Sequence, residues 1–312
     1  MAQKYWNQKV LLAVLETTYG VDPAPVGADD AILAQQVSLQ PMEGNDVARE
    51  LERAFMASDA TLVADLHAKL SFRVELAPSG TAGTAPAWGK LLRACGCAQT
   101  VSVGTSVTYN PVSAGFESIT LHFHYDGIRH VLTGARGTVK LMLKTGNVPH
   151  LEFEFTGRFA PATDAAQPVA VLTAFKAPVV ANAANTPTFT LAGVAMALRS
   201  LSFNAGVQVE PRFLIGAADS MIVTAREELI EATVEARAMA TFNPYARAAA
   251  NERMPLVLQH GTIAGARAAL NVPLAQLQRP TGVEQQQNIA EWPLRFVPQP
   301  DTGNDQWTLV LT

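Results

Sequence analysis

One order of landmarks runs along this chain twice, and such a repeat constrains the fold more than any single motif, because each copy must find the same packing. In the first half Val47-Ala48-Arg49 precedes the segment Leu70–Leu76, Pro86 opens a helical pattern, and Ile119–Phe123, Gly134-Ala135-Arg136 and Arg158-Phe159-Ala160-Pro161 follow. In the second half Val209-Glu210-Pro211-Arg212 precedes Ile230–Ala236, and Asn243-Pro244, an N-cap and N1 pair, opens Tyr245–Asn251. Leu256–His260, Gly265-Ala266-Arg267 and Arg295-Phe296-Val297-Pro298 then keep the order. The stretch Pro161–Pro187, rich in Ala, Pro and Asn and without alternation, reads as the junction. We therefore expect a first domain over 1–163, a linker over 164–187 and a second domain over 188–312.

The segments between turns alternate with period two, which puts apolar side chains on one sheet face and polar ones on the other. Leu70-Ser71-Phe72-Arg73-Val74-Glu75-Leu76, Ile119–Tyr125, Val139–Lys144 and Leu151–Phe155 all do so, and Val10–Leu15, Ile32–Leu39 and Trp307–Leu311 add strands. Asp126-Gly127 is a hairpin signal of type I′. Trp88, Leu91, Leu92 and Cys95 stand at i, i+3, i+4 and i+7 of a short helix that Gly96 ends. The charged stretch Glu43–Asp65 reads as a projecting hairpin or loop. The fold class is mainly β with minor α, in two tandem domains, each with one short helix.

Charged residues make up only 16% of the chain and hydrophobic ones 48%, so a free surface would be poorly wetted and a partner is expected to cover part of it. The net charge of −4 is spread without basic runs, which excludes tight nucleic-acid binding by counterion release. Two cysteines build no disulfide framework. The run Val10–Leu15 is too short for a secretory h-region, and no stretch reaches the roughly 18 apolar residues of a membrane helix, so a soluble, unexported chain is expected.

Catalytic patterns are wanting: there is no P-loop, no dinucleotide fingerprint, no G-x-S-x-G elbow and no H-E-x-x-H. The one metal-like grouping is His122 and His124 on one strand face with His130 across the turn and the thiols of Cys95 and Cys97. Alternation explains the two histidines more simply, as the polar face of an amphipathic strand. Glu152 and Glu154 alternate with Phe153 and Phe155 and read as a solvated face rather than an acid/base pair. No cofactor and no enzymatic activity are expected.

Leu15-Glu16-Thr17-Thr18-Tyr19-Gly20-Val21-Asp22-Pro23, the block Gly80–Gly96, Leu132-Thr133-Gly134-Ala135-Arg136-Gly137 and Asn185-Thr186-Pro187-Thr188-Phe189 together make the sequence resemble the major tail tube proteins of long, non-contractile-tailed bacteriophages, in the subgroup with a duplicated tube domain. The resemblance spans nearly the whole chain and implies two tandem β-sandwich or split-barrel tube domains, each with one short flanking helix, with Val207–Thr224 as the counterpart of the projecting segment Glu43–Asp65. It implies a structural protein of the virion tail, synthesised in the bacterial host cytoplasm, that self-assembles into stacked rings around a continuous β-barrel through which DNA passes as non-specific cargo. Three two-domain chains would make a ring of pseudo-sixfold character. Tape measure, tail terminator and distal tail proteins are the implied partners.

The same resemblance implies inter-ring contacts in the hairpin region, at Glu43, Asp46, Arg49, Glu50, Glu52 and Arg53, and in its counterpart at Val209 and Arg212. Polar strand faces supply lumen candidates: Arg73 and Glu75, Lys140 and Lys144, Glu152 and Glu154, Glu231 and Glu235, with His122, His124 and Glu291 beside them. Their signs are mixed, so some of these faces are expected to point elsewhere. The rival reading is a two-domain β-sandwich binding module, carbohydrate-binding or adhesin, which predicts a stable monomer with an exposed aromatic cluster.

Overall fold

Strands with period-two alternation need hydrogen-bonded neighbours on both sides, and the pairings determine where each buried face goes. The structure, a computed structural model, describes residues 3–312. Its first half contains β1 (Lys9–Leu15), β2 (Ala31–Ile32), β3 (Gln35–Ala48), β4 (Thr61–Glu75), α1 (Gly89–Ala94), β5 (Cys97–Ser102), β6 (Ser106–Pro111), β7 (Ile119–Tyr125), β8 (Ile128–Lys144), β9 (His150–Arg158) and β10 (Thr163–Asp164). Its second half contains β11 (Thr188–Leu191), β12 (Val194–Ala195), β13 (Leu198–Asn204), β14 (Val207–Arg212), β15 (Ser220–Arg226), β16 (Leu229–Glu235), α2 (Pro244–Ala249), β17 (Arg253–His260), β18 (Ala268–Leu277), β19 (Glu284–Gln286), β20 (Ile289–Pro298) and β21 (Thr308–Leu311).

All the pairings are antiparallel, and they follow one scheme in both halves. The order β3-β4-β9-β8 in the first is matched by β13-β16-β20-β19 in the second, and β2-β1-β7-β8 by β12-β11-β17-β18. Even a bulge recurs. Ile119 pairs with Ala135 and Leu121 with Leu132, while Met254 pairs with Ala275 and Leu256 with Val272. Ala275 is thereby the counterpart of Ala135, and Phe296, opposite Ile230, that of Phe155, opposite Leu70.

These registers revise three of the sequence echoes. Gly134 lies inside β8 whereas Gly265 lies in the turn before β18, so the two Gly-Ala-Arg triplets are not equivalent. The Arg-Phe echo at 158 and 295 is offset by four residues, and the strand echo at 119 and 256 by two. Order survives divergence because it is set by topology, whereas two-residue identities recur by chance.

The halves are joined by β8 and β13, with Lys144 opposite Ser200, Leu143 opposite Leu201 and Leu141 opposite Phe203. One sheet therefore runs without a break through β3-β4-β9-β8-β13-β16-β20-β19. Its apolar face, including Phe72, Phe153, Leu141, Phe203, Ile230 and Trp292, is buried against the outer strands and against Trp88 and Leu91 of the α1 region. A second seam forms where β21 pairs with β18 on one side and with β6 on the other.

Local chemistry explains most boundaries. Asp126 and Gly127 both have positive φ (40° and 82°), as a type I′ turn requires. The α1 helix is shorter than its pattern, beginning at Gly89 after a turn closed from Pro86, yet Trp88, Leu91, Leu92 and Cys95 are all buried as spaced. The strand expected over Ile32–Leu39 breaks between β2 and β3, and β3 continues to Ala48. At Gly206 (φ 60°) the chain leaves β13 sharply for the β14–β15 hairpin, and any Cβ there would meet the Glu227 carbonyl oxygen at 1.9 Å.

Glu16, in the segment that carries the resemblance, is a hub. Its carboxylate accepts from the Gly20 and Gly134 amides at 2.7 and 2.6 Å and from the Ser118 and Thr120 hydroxyls at 2.6 and 2.7 Å, tying the loop after β1 to β7 and β8. Charge-assisted bonds of this kind leave buried donors unpaired when removed. We expect Glu16→Ala to lower the unfolding free energy by about 3 kcal/mol in urea titration, while Glu16→Gln loses less.

Candidate functional site

Directly paired residues of an antiparallel sheet share a face. Following the pairs, Ser71, Glu154 and Thr138 form one row, and Arg73, Glu152, Lys140 and Asn204 the next. Glu75, His150, Met142, Ser202, Glu231 and Arg295 form a third, Lys144, Ser200, Thr233 and Pro293 a fourth, and Glu235, Glu291 and Glu284 the last. All eight strand-face candidates, Arg73, Glu75, Lys140, Lys144, Glu152, Glu154, Glu231 and Glu235, thus lie on a single polar face of the continuous sheet. Of the strand faces named from the sequence, that of His122 and His124 points elsewhere, as was expected of some of them, and only tertiary pairing shows that the alternating faces of the other strands add up to one surface.

The arginines of this face are ion-paired within it, whereas Glu154, Glu235 and Glu284 form no ion pair among the described residues. Arg73 meets Glu152 at 2.6 Å, Arg295 meets Glu231 at 3.3 Å, Arg199 pairs with Glu291, and Gln35 donates to Glu75 at 2.8 Å. Lys140 and Lys144 form no ion pair among the described residues. The face is wet, mixed in sign and somewhat acidic, with no cluster of free cations.

Both ends of the continuous sheet are open. Among the described residues β3 pairs only with β4, and β19 only with β20. A row of unpaired amides and carbonyls along such an edge is a template for another chain. Beyond the sheet, β3 and β4 continue as a two-stranded ribbon, through Asp46 opposite Val63 to Ala48 opposite Thr61, whose faces are exposed on both sides. Glu43 is half-buried at its base, whereas Asp46, Arg49, Glu50, Glu52 and Arg53 are exposed or lie on its apex loop, where Asp59 binds Arg53 at 2.8 Å and accepts from the Leu51 amide. In the counterpart hairpin Arg212 is exposed, whereas Val209 is partly buried against the core.

The histidines stand differently from expectation. β7 is buried on both faces, because the loop after β1 lies over the side that alternation assigns to solvent, and His122 and His124 are 3% and 5% exposed. Neither belongs to the open face. His122 Nε2 lies 2.9 Å from Asp22 Oδ2, and His130, paired with Phe123, points to the opposite side of the strand. Burial pushes the Cys97 thiol up to about 12 and the Cys95 thiol well above its ordinary range. Among the described residues no three His, Cys, Asp or Glu side chains converge as a metal site. Also among these residues, no helix is long and apolar enough to cross a membrane.

A mostly β chain whose continuous sheet has one apolar face buried, one polar face open and an unpaired strand at each end, with a ribbon projecting from it, is built as an assembling structural protein. Comparison with known families matches residues 6–290 to the family described as phage tail tube protein. The chain belongs to that family: it is a structural component of a bacteriophage tail, a virion protein that assembles with itself and with other tail proteins into a tube. The comparison with curated proteins found no match. Nothing in the family assignment or the surface favours the binding-module reading.

Burial holds the His124 imidazole down to about 4, with the neighbouring His122 and Arg129 adding to the effect, and burial lowers His122, His130 and His260 as well. The folded state binds these protons more weakly than the unfolded chain, so the stability they contribute is complete above about pH 6.5 and is lost as pH falls toward about 4. His124 alone accounts for a loss on the order of 3 kcal/mol over that window. Denaturant titrations at several pH values should show this slope, and His124→Gln should flatten it.

Proposed function

We propose that three copies of this chain close a ring in which β19 of each copy pairs with β3 of the next, and that stacked rings form the hollow tube through which genomic DNA passes. The β8–β13 pairing inside one chain supports this reading, because the same strand order repeats and ends in the same two kinds of edge. Transferring the register makes Ser38 the neighbour of Glu284 and Leu39 the neighbour of Val283, as Ser202 neighbours Met142 and Phe203 neighbours Leu141. Val283 is 57% exposed in the single chain, whereas Leu141, its counterpart, is 3% exposed. Ring closure would bury it.

In this reading residues 1–163 and 188–312 are two tube domains with a linker over 164–187, and the open polar face lines the lumen. Six domains of four strands give a barrel of about 24 strands, roughly 40–50 Å between opposite backbones at ordinary strand spacing and tilt, wide enough for a duplex. Pairing of most arginines with carboxylates on that face leaves few sites for phosphate and little counterion release, so DNA is held nowhere along the wall. The protein acts without catalysis or cofactor, is made in the host cytoplasm, and meets the tape measure, terminator and distal tail proteins at the tube's core and ends. The ribbon apex, with Arg49, Glu50, Glu52 and Arg53, stacks one ring on the next, and Arg212 adds to that contact.

Two experiments test this. Ser38→Cys combined with Glu284→Cys should give, under mild oxidation of assembled protein, disulfides only between chains, with threefold rings or tubes seen by electron microscopy; a chain that stays uncrosslinked in tubes would refute the closure. Reversing the charges of Glu50, Glu52 and Arg53 together should leave rings but shorten or abolish tubes, and tubes of normal length would remove the apex from the stacking role.

A further inference from the structure

The two halves carry equivalent hairpins in unlike surroundings. The β14–β15 hairpin, which branches from the continuous sheet between β13 and β16, folds back over the first half of its own chain. The Val207 amide donates to Thr138 Oγ1 at 3.1 Å, Arg136 donates to the Met221 carbonyl at 2.7 Å, the Met221 amide donates to Tyr19 Oη at 2.6 Å, and Arg226 donates to the Gly96 and Val112 carbonyls at 2.9 Å. Phe213, just past β14, reaches His67 at the base of the other hairpin. Met221 is fully buried there.

The ribbon of β3 and β4 branches from the sheet at the matching place, between the same pair of strands, yet it touches nothing comparable. Met42, Val47, Leu62 and Val63 are each about half exposed, at 51%, 49%, 58% and 58%. The second half, for its part, has an open depression of about 430 Å³ at the position where the first half receives β14–β15. It is lined by Asn251, Gln276, Gln278, Arg279, Thr281 and Arg295 among others. Through the shared registers Gln276 and Gln278 are the counterparts of Arg136 and Thr138, and Asn251, at φ 51° after α2, is the counterpart of Gly96, at φ 72° after α1.

We propose that the base of the ribbon, Glu43–Ala48 with Thr61–Leu66, docks within the ring onto the second half of the neighbouring copy, in the depression beside Gln278 and Arg279. The inference rests on the proposed β19–β3 closure: once β3 of one copy extends the sheet past β19 of another, the ribbon that continues β3 is carried over β18, as β14–β15 is carried over β8. Charge fits, since Glu43 and Asp46 on the ribbon approach Arg279 and Arg295. Each hairpin then overlaps the base of the next around the ring, and the six together make a collar, with only the longer ribbon's apex left for the adjacent ring. The occupant is a second copy of this chain.

Glu43 stands where Val207 does and Gln278 where Thr138 does, so Glu43→Cys with Gln278→Cys is the test, run on assembled protein beside the Ser38→Cys/Glu284→Cys pair. Both side chains are on the surface of the single chain, so folding is not at stake. On non-reducing gels the expected result is conversion of most of the chain into products that end at the trimer, the signature of a link that closes around one ring. A ladder continuing past the trimer would mean that the ribbon base crosses between rings and would overturn the proposal. Absence of the Glu43–Gln278 link where the Ser38–Glu284 link forms would overturn it while leaving ring closure intact, and absence of both would overturn the closure as well.

Discussion

The pairing of β8 with β13 is the constraint on which the molecule depends. It converts two half-sheets into one, aligns their apolar faces over a common core and leaves exactly one open edge at each end. Had the halves packed face to face instead, every edge would stand alone and the polar residues of the two sheets would not share a surface. A continuous sheet with a free strand at each end can extend by adding another copy, and the proposed ring closure would leave neither end of that sheet exposed.

The free β19 edge is itself weakly built. It has three residues, and Glu284 stands directly opposite Glu291, a like-charge cross-strand pair that costs stability. Arg199, ion-paired with Glu291, relieves part of the repulsion. Such an edge gains more from a partner than a long, well-ordered strand would, and it offers a lone chain little template for indiscriminate aggregation. Across the molecule the β21 strand does the reverse: it is held on both sides, by β18 and by the β5–β6 hairpin that only the first half possesses, and it locks the halves together at the outer layer.

Much of this was legible in the residues. Alternation in Leu70–Leu76, Val139–Lys144 and Leu151–Phe155 marked strands with a wet face, and the spacing of Trp88, Leu91, Leu92 and Cys95 marked a buried helical stripe. The charged stretch Glu43–Asp65 is the projecting ribbon. Reading failed where alternation meets a covering layer: Thr120, His122 and His124 look like a wet face, but the loop carrying Asp22 and the Glu16 hub bury them. It also passed over the β5–β6 hairpin, although Val107-Thr108-Tyr109 alternates and Gly104, at φ 70°, marks the turn; what no local signal tells is that β6 pairs with β21. The repeat was visible as an order of landmarks and invisible as a register, because pairs and bulges, not dipeptides, define equivalent positions.

The sequence by itself determined the class of fold, the family and the presence of polar strand faces and a ribbon, since periodicity and composition act locally and survive without a partner. Only the tertiary structure decided that those faces form one surface, that the sheet they belong to ends in two free edges, and that one hairpin is seated while its twin is bare. Those facts depend on which strand lies beside which, and hydrogen bonds between residues far apart in the chain leave no periodic trace in it.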